Sequence, residues 1–170
     1  MRGSQEKTCC LIGHRDIRGL QFEERMQHII QDLIEKCNVR QFLQKRLGLF
    51  DVACAGFINQ AKKQYPDIRL SLVVPYYFDI ESAHQMKRTG GYDDVILPDI
   101  GEVCCQDAIE LCNQWMIHKS DYLLTYVVYP QSESRTAMEY AQARRKNKLQ
   151  DIEIINLADE ASCRKHRWRV

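Results

Sequence analysis

Cys9, Cys10 and His14 stand together in the stretch TCCLIGHRDI, residues 8–17. Thiolate and imidazole are the usual ligands of zinc, so a metal site is the first chemistry to test. The local pattern argues against it. Lys7 to Ile12 reads as a short strand, and adjacent strand side chains point to opposite faces. Cys9 and Cys10 therefore do not converge on one ion. Cysteine is also a good small core residue. Both are expected as buried thiols, and no metal site is assigned. Gly13, at the strand end, has two readings. It either brings backbone N–H groups to a ligand or makes a tight turn. His14 and Arg15 are candidates to touch an anion directly, with a surface salt bridge as the other reading of Arg15.

Other residues raise the same choice. Cys105 and Cys112 share a helix face with Ile109 between them, which is a core stripe. His118 fits a helix-end cap. Asp51 follows Gly48 and Phe50 at a helix start, where a carboxylate caps backbone N–H groups. Its alternative role is to hold a ribose hydroxyl. Lys45 and Arg46 read first as a solvated turn. They could also act as charged donors to a phosphate. Ser132 or Ser134 caps the helix that carries Arg135, Thr136 and Glu139. Trp168, in the tail RKHRWRV, could stack on a base, although a solvated tail is the simpler reading.

The elements that must position these residues alternate. Phe22, Met26, Ile29, Ile30, Leu33 and Ile34 form a helical stripe. Val39 to Leu43 is a short β candidate. Val52 to Lys63 is helical, and Tyr65-Pro66-Asp67 breaks it. Arg69 to Val74 is a strand ended by Pro75. Residues 76–98 read as an excursion with a short strand at Val95 to Leu97. Glu102 to Ile117 is helical. Asp121 to Val128 is apolar at nearly every position, so it should be covered on both faces. Ser134 to Lys146 is helical, and Ile152 to Leu157 is a last buried strand. Alternating strands and helices imply βαβ units and a parallel sheet. Ligands then bind beyond the carboxyl ends of the strands.

The totals bound the class. The chain has 170 residues, 45% of them hydrophobic and 28% charged, with a formal net charge of +1. One soluble domain is the default. Nucleic acid is an unexpected partner at this overall charge. Four cations, Arg164, Lys165, Arg167 and Arg169, gather in the tail. No apolar run reaches the ~18 residues that span a bilayer, and no signal-peptide core follows the start. A cytoplasmic protein with reduced thiols is expected.

Four segments taken together are TCCLIGHR, FLQKRLGLFDVACAGFINQAKKQYPDIRLSLVVPY, CNQWMIHKSDYLLTYV and SRTAMEYAQARRKN…IEIINL. This set resembles the SLOG superfamily, the Rossmann-like group that includes the DprA/Smf and LOG proteins, and within it the YpsA-like branch. The resemblance runs from Lys7 to Leu157. It implies a doubly wound sheet with a nucleotide-type pocket at its loops. The implied contributors are Gly13, His14 and Arg15, then Gly48, Phe50 and Asp51, then Asn113, then Ser132 to Thr136 leading to Glu139. Lys45 and Arg46 stand where relatives carry glycines, and Cys112 replaces an arginine beside Asn113. Of the LOG motif PGGxGTxxE only Thr136 and Glu139 remain. The resemblance implies that this pair binds ribose or assists glycosidic cleavage.

The expected fold is thus a three-layer, Rossmann-like, doubly wound α/β domain over residues 1–158. It carries a mainly parallel five-stranded sheet, and residues 159–170 form a basic tail. The expected function is binding of a nucleotide-derived anionic ligand, without a cofactor. The contacts are Gly13, His14, Arg15, Gly48, Phe50, Asp51, Asn113, Ser132, Ser134, Arg135 and Thr136. A homo-oligomer is compatible with this reading. The alternatives are a LOG-like hydrolase of nucleoside-monophosphate N-glycosidic bonds using Glu139, and a DprA-like nucleic-acid or protein interaction module.

Overall fold

A computed structural model describes residues 5–17, 21–76, 80–159 and 163 of the chain. The tail beyond residue 163, with Trp168 and the four terminal cations, lies outside the described residues, as does the side chain of Cys105. Among the described residues six strands alternate with five helices: β1 (Lys7–Gly13), α1 (Gln21–Glu35), β2 (Val39–Gln44), α2 (Leu49–Ala61), β3 (Arg69–Val73), α3 (Ile80–Gly90), β4 (Asp94–Ile96), α4 (Cys105–His118), β5 (Tyr122–Tyr126), α5 (Glu133–Lys146) and β6 (Glu153–Asn156). The strands form one sheet in the order β4-β3-β2-β1-β5-β6. Every paired neighbour is parallel.

This corrects the expected five strands to six. The added strand, β4, has only three half-buried residues and pairs with β3 from Ser71↔Asp94 to Val73↔Ile96. Such a short edge strand has too few residues to show a periodicity. The excursion before it contains α3, of which only Ala83 is buried. A helix with so thin an apolar face leaves little trace in the sequence pattern.

Strand order and handedness fix the layers. The chain moves outward from β1 to β4, and right-handed crossovers place α1, α2 and α3 on one face. It then returns to β5 beside β1, so α4 and α5 cover the other face. The core divides accordingly. Cys9, Leu11, Phe42, Leu70 and Leu124 pack with Met26, Ile30, Phe50 and Ile58 on the first face. Cys10, Ile12, Leu43, Val73 and Leu123 pack with Cys112, Met116, Ala137 and Ala141 on the second. Cys9 and Cys10 are both fully buried, one in each layer. Burial pushes the Cys10 thiol up to about 12 and the Cys112 thiol up to about 11, so both stay protonated. No disulfide joins the described cysteines. Among the described residues no helix is long and apolar enough to cross a membrane.

Candidate functional site

The strand order reverses between β1 and β5, which pair from Cys9↔Tyr122 to Gly13↔Tyr126. A doubly wound sheet opens its crevice beyond the carboxyl ends of strands at such a point. The loops after β1, β2 and β5 meet there. The backbone N–H of Leu49 donates to the Arg15 carbonyl at 2.8 Å. The N–H groups of Val128 and Tyr129 donate to His14 Nε2 at 2.9 and 3.3 Å. Arg15 Nη2 lies 3.3 Å from Glu133 Oε2.

One wall of this crevice is built by packing. A Cβ on Gly13 would sit 2.4 Å from the Phe50 ring. Phe50 is fully buried. The glycine therefore makes room for an aromatic core residue, and the space beside it is filled by protein. Phe50, expected at the ligand, belongs to the core. Gly48 is equally constrained, because its Cβ would fall 2.4 Å from Arg15 Cα. Gly48 is the N-cap of α2, in extended backbone and with no side chain to cap the helix. Asp51, at the third helical position, reaches back to the loop before the helix instead, its Oδ2 accepting the Leu47 N–H at 2.9 Å. Asp51 is buried, and this burial pushes its carboxyl up to about 6.

His14 also departs from expectation. It is buried, its ring packs tilted against Tyr129 at 4.9 Å, and its Nε2 accepts two loop N–H groups. An imidazole that accepts at Nε2 cannot donate from that atom to an anion. Burial lowers its affinity for a proton further. His14 ties the β5–α5 loop to β1.

The other wall is polar. Lys45 follows β2 directly and is only 5% exposed. Its Nζ donates to Oδ1 of Asn113 on α4, itself 2% exposed. Burial lowers the Lys45 pKa, while the carboxylates of Asp51 and Glu133 act against that shift. The solvated turn expected at Lys45-Arg46 is thus not formed. Gln44 turns to the α2 side, donating to the Asp51 carbonyl and the Tyr92 hydroxyl. Strand alternation sends Lys45 to the α4 side. Arg46 lies over the Tyr92 ring at 5.9 Å.

Beside Asn113 a groove of about 140 Å³ runs between α4 and α5; Glu110, Gln114, Glu133, Thr136 and Tyr140 line it with Ile109 and Ala137, and neither Lys45 nor Arg15 does. Ser132 caps α5, accepting the Arg135 N–H at 3.1 Å. The α5 start, with its partial positive charge, faces the crevice. Thr136 lines the groove, but its hydroxyl donates to the Ser132 carbonyl at 3.2 Å. Ser134 is buried. Arg135 Nε pairs with Glu139 Oε1 at 3.1 Å on a side chain that is 61% exposed. The loops thus gather Arg15, Lys45, Asn113, Glu133 and Thr136, while Phe50 and His14 serve the scaffold and Glu139 faces Arg135.

No family model matches the chain, and no curated protein matches its sequence. Among solved structures, the X-ray structure of DNA processing protein A (DprA) from Streptococcus pneumoniae is similar, with a TM-score of 0.62 at 16% identity. The chain shares the fold of DprA. The match covers 94% of this chain and 55% of the DprA chain, so this chain spans about half of that protein. DprA is among the proteins that the sequence resemblance names, and the likeness covers both halves of the sheet that form the crevice.

Proposed function

We propose that the domain binds a nucleotide-derived anionic ligand in the crevice between β1 and β5, as a YpsA-like SLOG protein of the cytoplasm. The observation that carries this reading is Lys45, a buried ammonium whose described partner is one amide oxygen. An ammonium has three donors. Burying one is costly unless it is paired and hydrogen-bonded; Asp51 and Glu133 act on it through space, and a phosphate beside Asn113 would add a direct anionic partner. Arg15 and the α5 amino terminus supply further positive potential on the same side. The site does this with side chains where glycine amides are missing.

The hydrolase reading is weaker. It needs Glu139 poised as an acid or base at the ligand, and Glu139 is committed to Arg135 on an exposed surface. The expected outcome is a rise in melting temperature with AMP, ADP or ADP-ribose, lost in Lys45→Met, and no release of base from AMP. A wild type that no nucleotide stabilises would remove the reading. Turnover abolished by Glu139→Gln would install the hydrolase instead.

A second reading, a nucleic-acid interaction module, is favoured by a cluster at the other end of the α4/α5 face. Arg144 Nε donates to Gln150 Oε1 at 2.8 Å, and Gln150 Nε2 donates to the Ile117 and Ser120 carbonyls. This brings His118 and Lys119 of α4's end to Arg145, Lys146 and Lys148 of α5's end. Trp115 and Tyr140 lie under Lys119 and Arg144 at 5.7 and 5.9 Å. Cations interleaved with aromatic rings suit a single strand. The name of DprA, DNA processing protein A, ties that protein to DNA processing. Salt-sensitive anisotropy of a labelled oligonucleotide, reduced in Arg145→Glu/Lys146→Glu, is the test.

A further inference from the structure

Helix α2 is apolar on the side that faces away from the sheet as well as on the side that packs on it. Its sequence is LFDVACAGFINQA, and its single charged side chain, Asp51, is buried. Phe50, Cys54, Ala55 and Ile58 fill the core side. The opposite side presents Leu49, Val52, Gly56 and Gln60 at helical spacing, with Leu49 55% and Val52 45% exposed. A helix that is apolar all round belongs in an interior. The other helices differ, because Glu24 on α1, Arg88 on α3, Glu110 on α4 and Arg145 on α5 are exposed. Gly56 adds a steric observation. A Cβ there would meet nothing within 4 Å, so no neighbour in the chain requires a glycine. An interior glycine weakens a helix relative to alanine. A close approach from outside the chain explains its presence.

We propose that α2 is a homodimer interface: two copies of this chain pack their α2 stripes antiparallel across a two-fold axis, with Gly56 at the point of closest approach. This contact is independent of the ligand assigned to the crevice. A second copy fits the face because no charged side chain stands on it. An acidic or basic partner would find nothing there to pair with. An uncharged stripe meets its own copy without repulsion, and a two-fold contact demands such self-complementarity. The flank has the same property. A groove of about 120 Å³ runs between α1 and α2, with Gln27, Gln31, Gln60 and Gln64 around Phe57 and Tyr65. An amide carries both donors and an acceptor, so glutamines pair with the glutamines of a copy. The distance between packed helices depends on the side chains at the contact, and a glycine on each side lets the two backbones come close. Val52 lies one turn before Gly56 and Gln60 one turn after it. In the antiparallel pair Val52 therefore packs against Gln60 of the partner subunit. Leu49, a further turn out, reaches the end of the helix where the groove lies. The first exposed cation along the stripe, Lys63, follows the C-cap residue Lys62, and its alkyl stem covers an apolar neighbour.

The test is sedimentation velocity of the whole chain from about 1 to 200 μM, the range suited to an interface at the small end of the size scale. Wild type is expected to pass from monomer to dimer across this range. Val52→Glu and Gly56→Leu should each weaken association about tenfold or more. Both should keep the wild-type circular dichroism, because both positions are open to solvent in a single copy. Gly56→Ala supplies a second readout. Its monomer should melt at a higher temperature through helix propensity, while its association weakens. Adding Gln60→Lys to Val52→Glu should restore association, because the two positions meet only across the interface. A wild type that stays monomeric at about 200 μM overturns the proposal. A dimer that Val52→Glu and Gly56→Leu leave intact also overturns it, because the contact then lies on another face. Failure of Gln60→Lys to rescue Val52→Glu overturns the antiparallel arrangement.

Discussion

The two walls of the crevice follow opposite rules. The wall formed by β1, α2 and the Gly48 turn is filled: Gly13 lies on Phe50, Gly48 lies on the Arg15 backbone, and the Leu49 N–H closes onto the Arg15 carbonyl. The wall formed by the β2 end, α4 and α5 is polar and incompletely filled: Lys45 on Asn113, Glu133 on Arg15, and a groove between the helices. Both contain residues that a motif would mark as ligand contacts. Only the second has unspent charge. Glycines in this crevice therefore report close packing of protein on protein, and the chemistry moves to side chains on the opposite wall.

The sharpest break of this comparison is Phe50→Ala. It should cost about 3–5 kcal/mol, because the ring is fully buried. Gly13→Ala should cost about 1–3 kcal/mol by overpacking in the wild type and much less once the ring is gone. Urea denaturation of the double-mutant cycle measures that coupling. If Gly13→Ala leaves stability unchanged but weakens nucleotide binding, the filled wall is a ligand wall after all.

Next in size is the pH dependence of the α2 start. The Asp51 carboxyl, up from 3.8 to about 6, binds its proton more tightly when folded. Stability should therefore fall by about 2–3 kcal/mol as pH rises from 4 to 6, and then level off. Asp51→Asn, which can still accept the Leu47 N–H, should flatten that slope. His14 works with the opposite sign, because burial lowers its pKa from 6.5. Its unfolded form protonates first, so stability is lost as pH drops below 6.5. His14→Ala should remove this acid sensitivity. It should also cost about 1–3 kcal/mol for the two N–H groups left without their acceptor. Chemical denaturation from pH 4 to 8 separates the two residues.

The smallest expected stability effect belongs to Lys45→Met. Asn113 loses its donor, but a buried ammonium disappears too, and the two nearly cancel to within about 1 kcal/mol. Ligand binding should drop tenfold or more. A loss of stability as large as that of Phe50→Ala would make Lys45 a structural residue.

Much of the fold was legible because its signals are local. The stripe from Phe22 to Ile34 became α1, and DYLLTYVV became β5 within two residues at either end. The burial of its central Leu123, Leu124 and Thr125 follows from a run that is apolar at nearly every position. The short strand expected at Val95 to Leu97 forms as β4, one residue earlier, and pairs into the sheet as its sixth strand; helix α3 leaves no trace, because one buried alanine carries no period. The site was harder. Gly13 owes its identity to Phe50, a contact across 37 positions that no local pattern encodes. Lys45 looked solvated because a lysine before a turn usually is. Its burial depends on α4 arriving from the far edge of the sheet, which places Asn113 over it. The one available signal was register: a residue directly after buried Leu43 and Gln44 continues the strand's alternation.

The central claim, that the anion enters at the polar wall, is tested most directly by amide chemical-shift mapping of the labelled chain with AMP. Saturable shifts are expected at residues 13–15, 45–48, 113 and 132–136, with those at 145–148 unmoved. Shifts confined to the cluster of His118, Lys119, Arg145 and Lys146, or no saturable shift at Lys45 and Asn113, would contradict it.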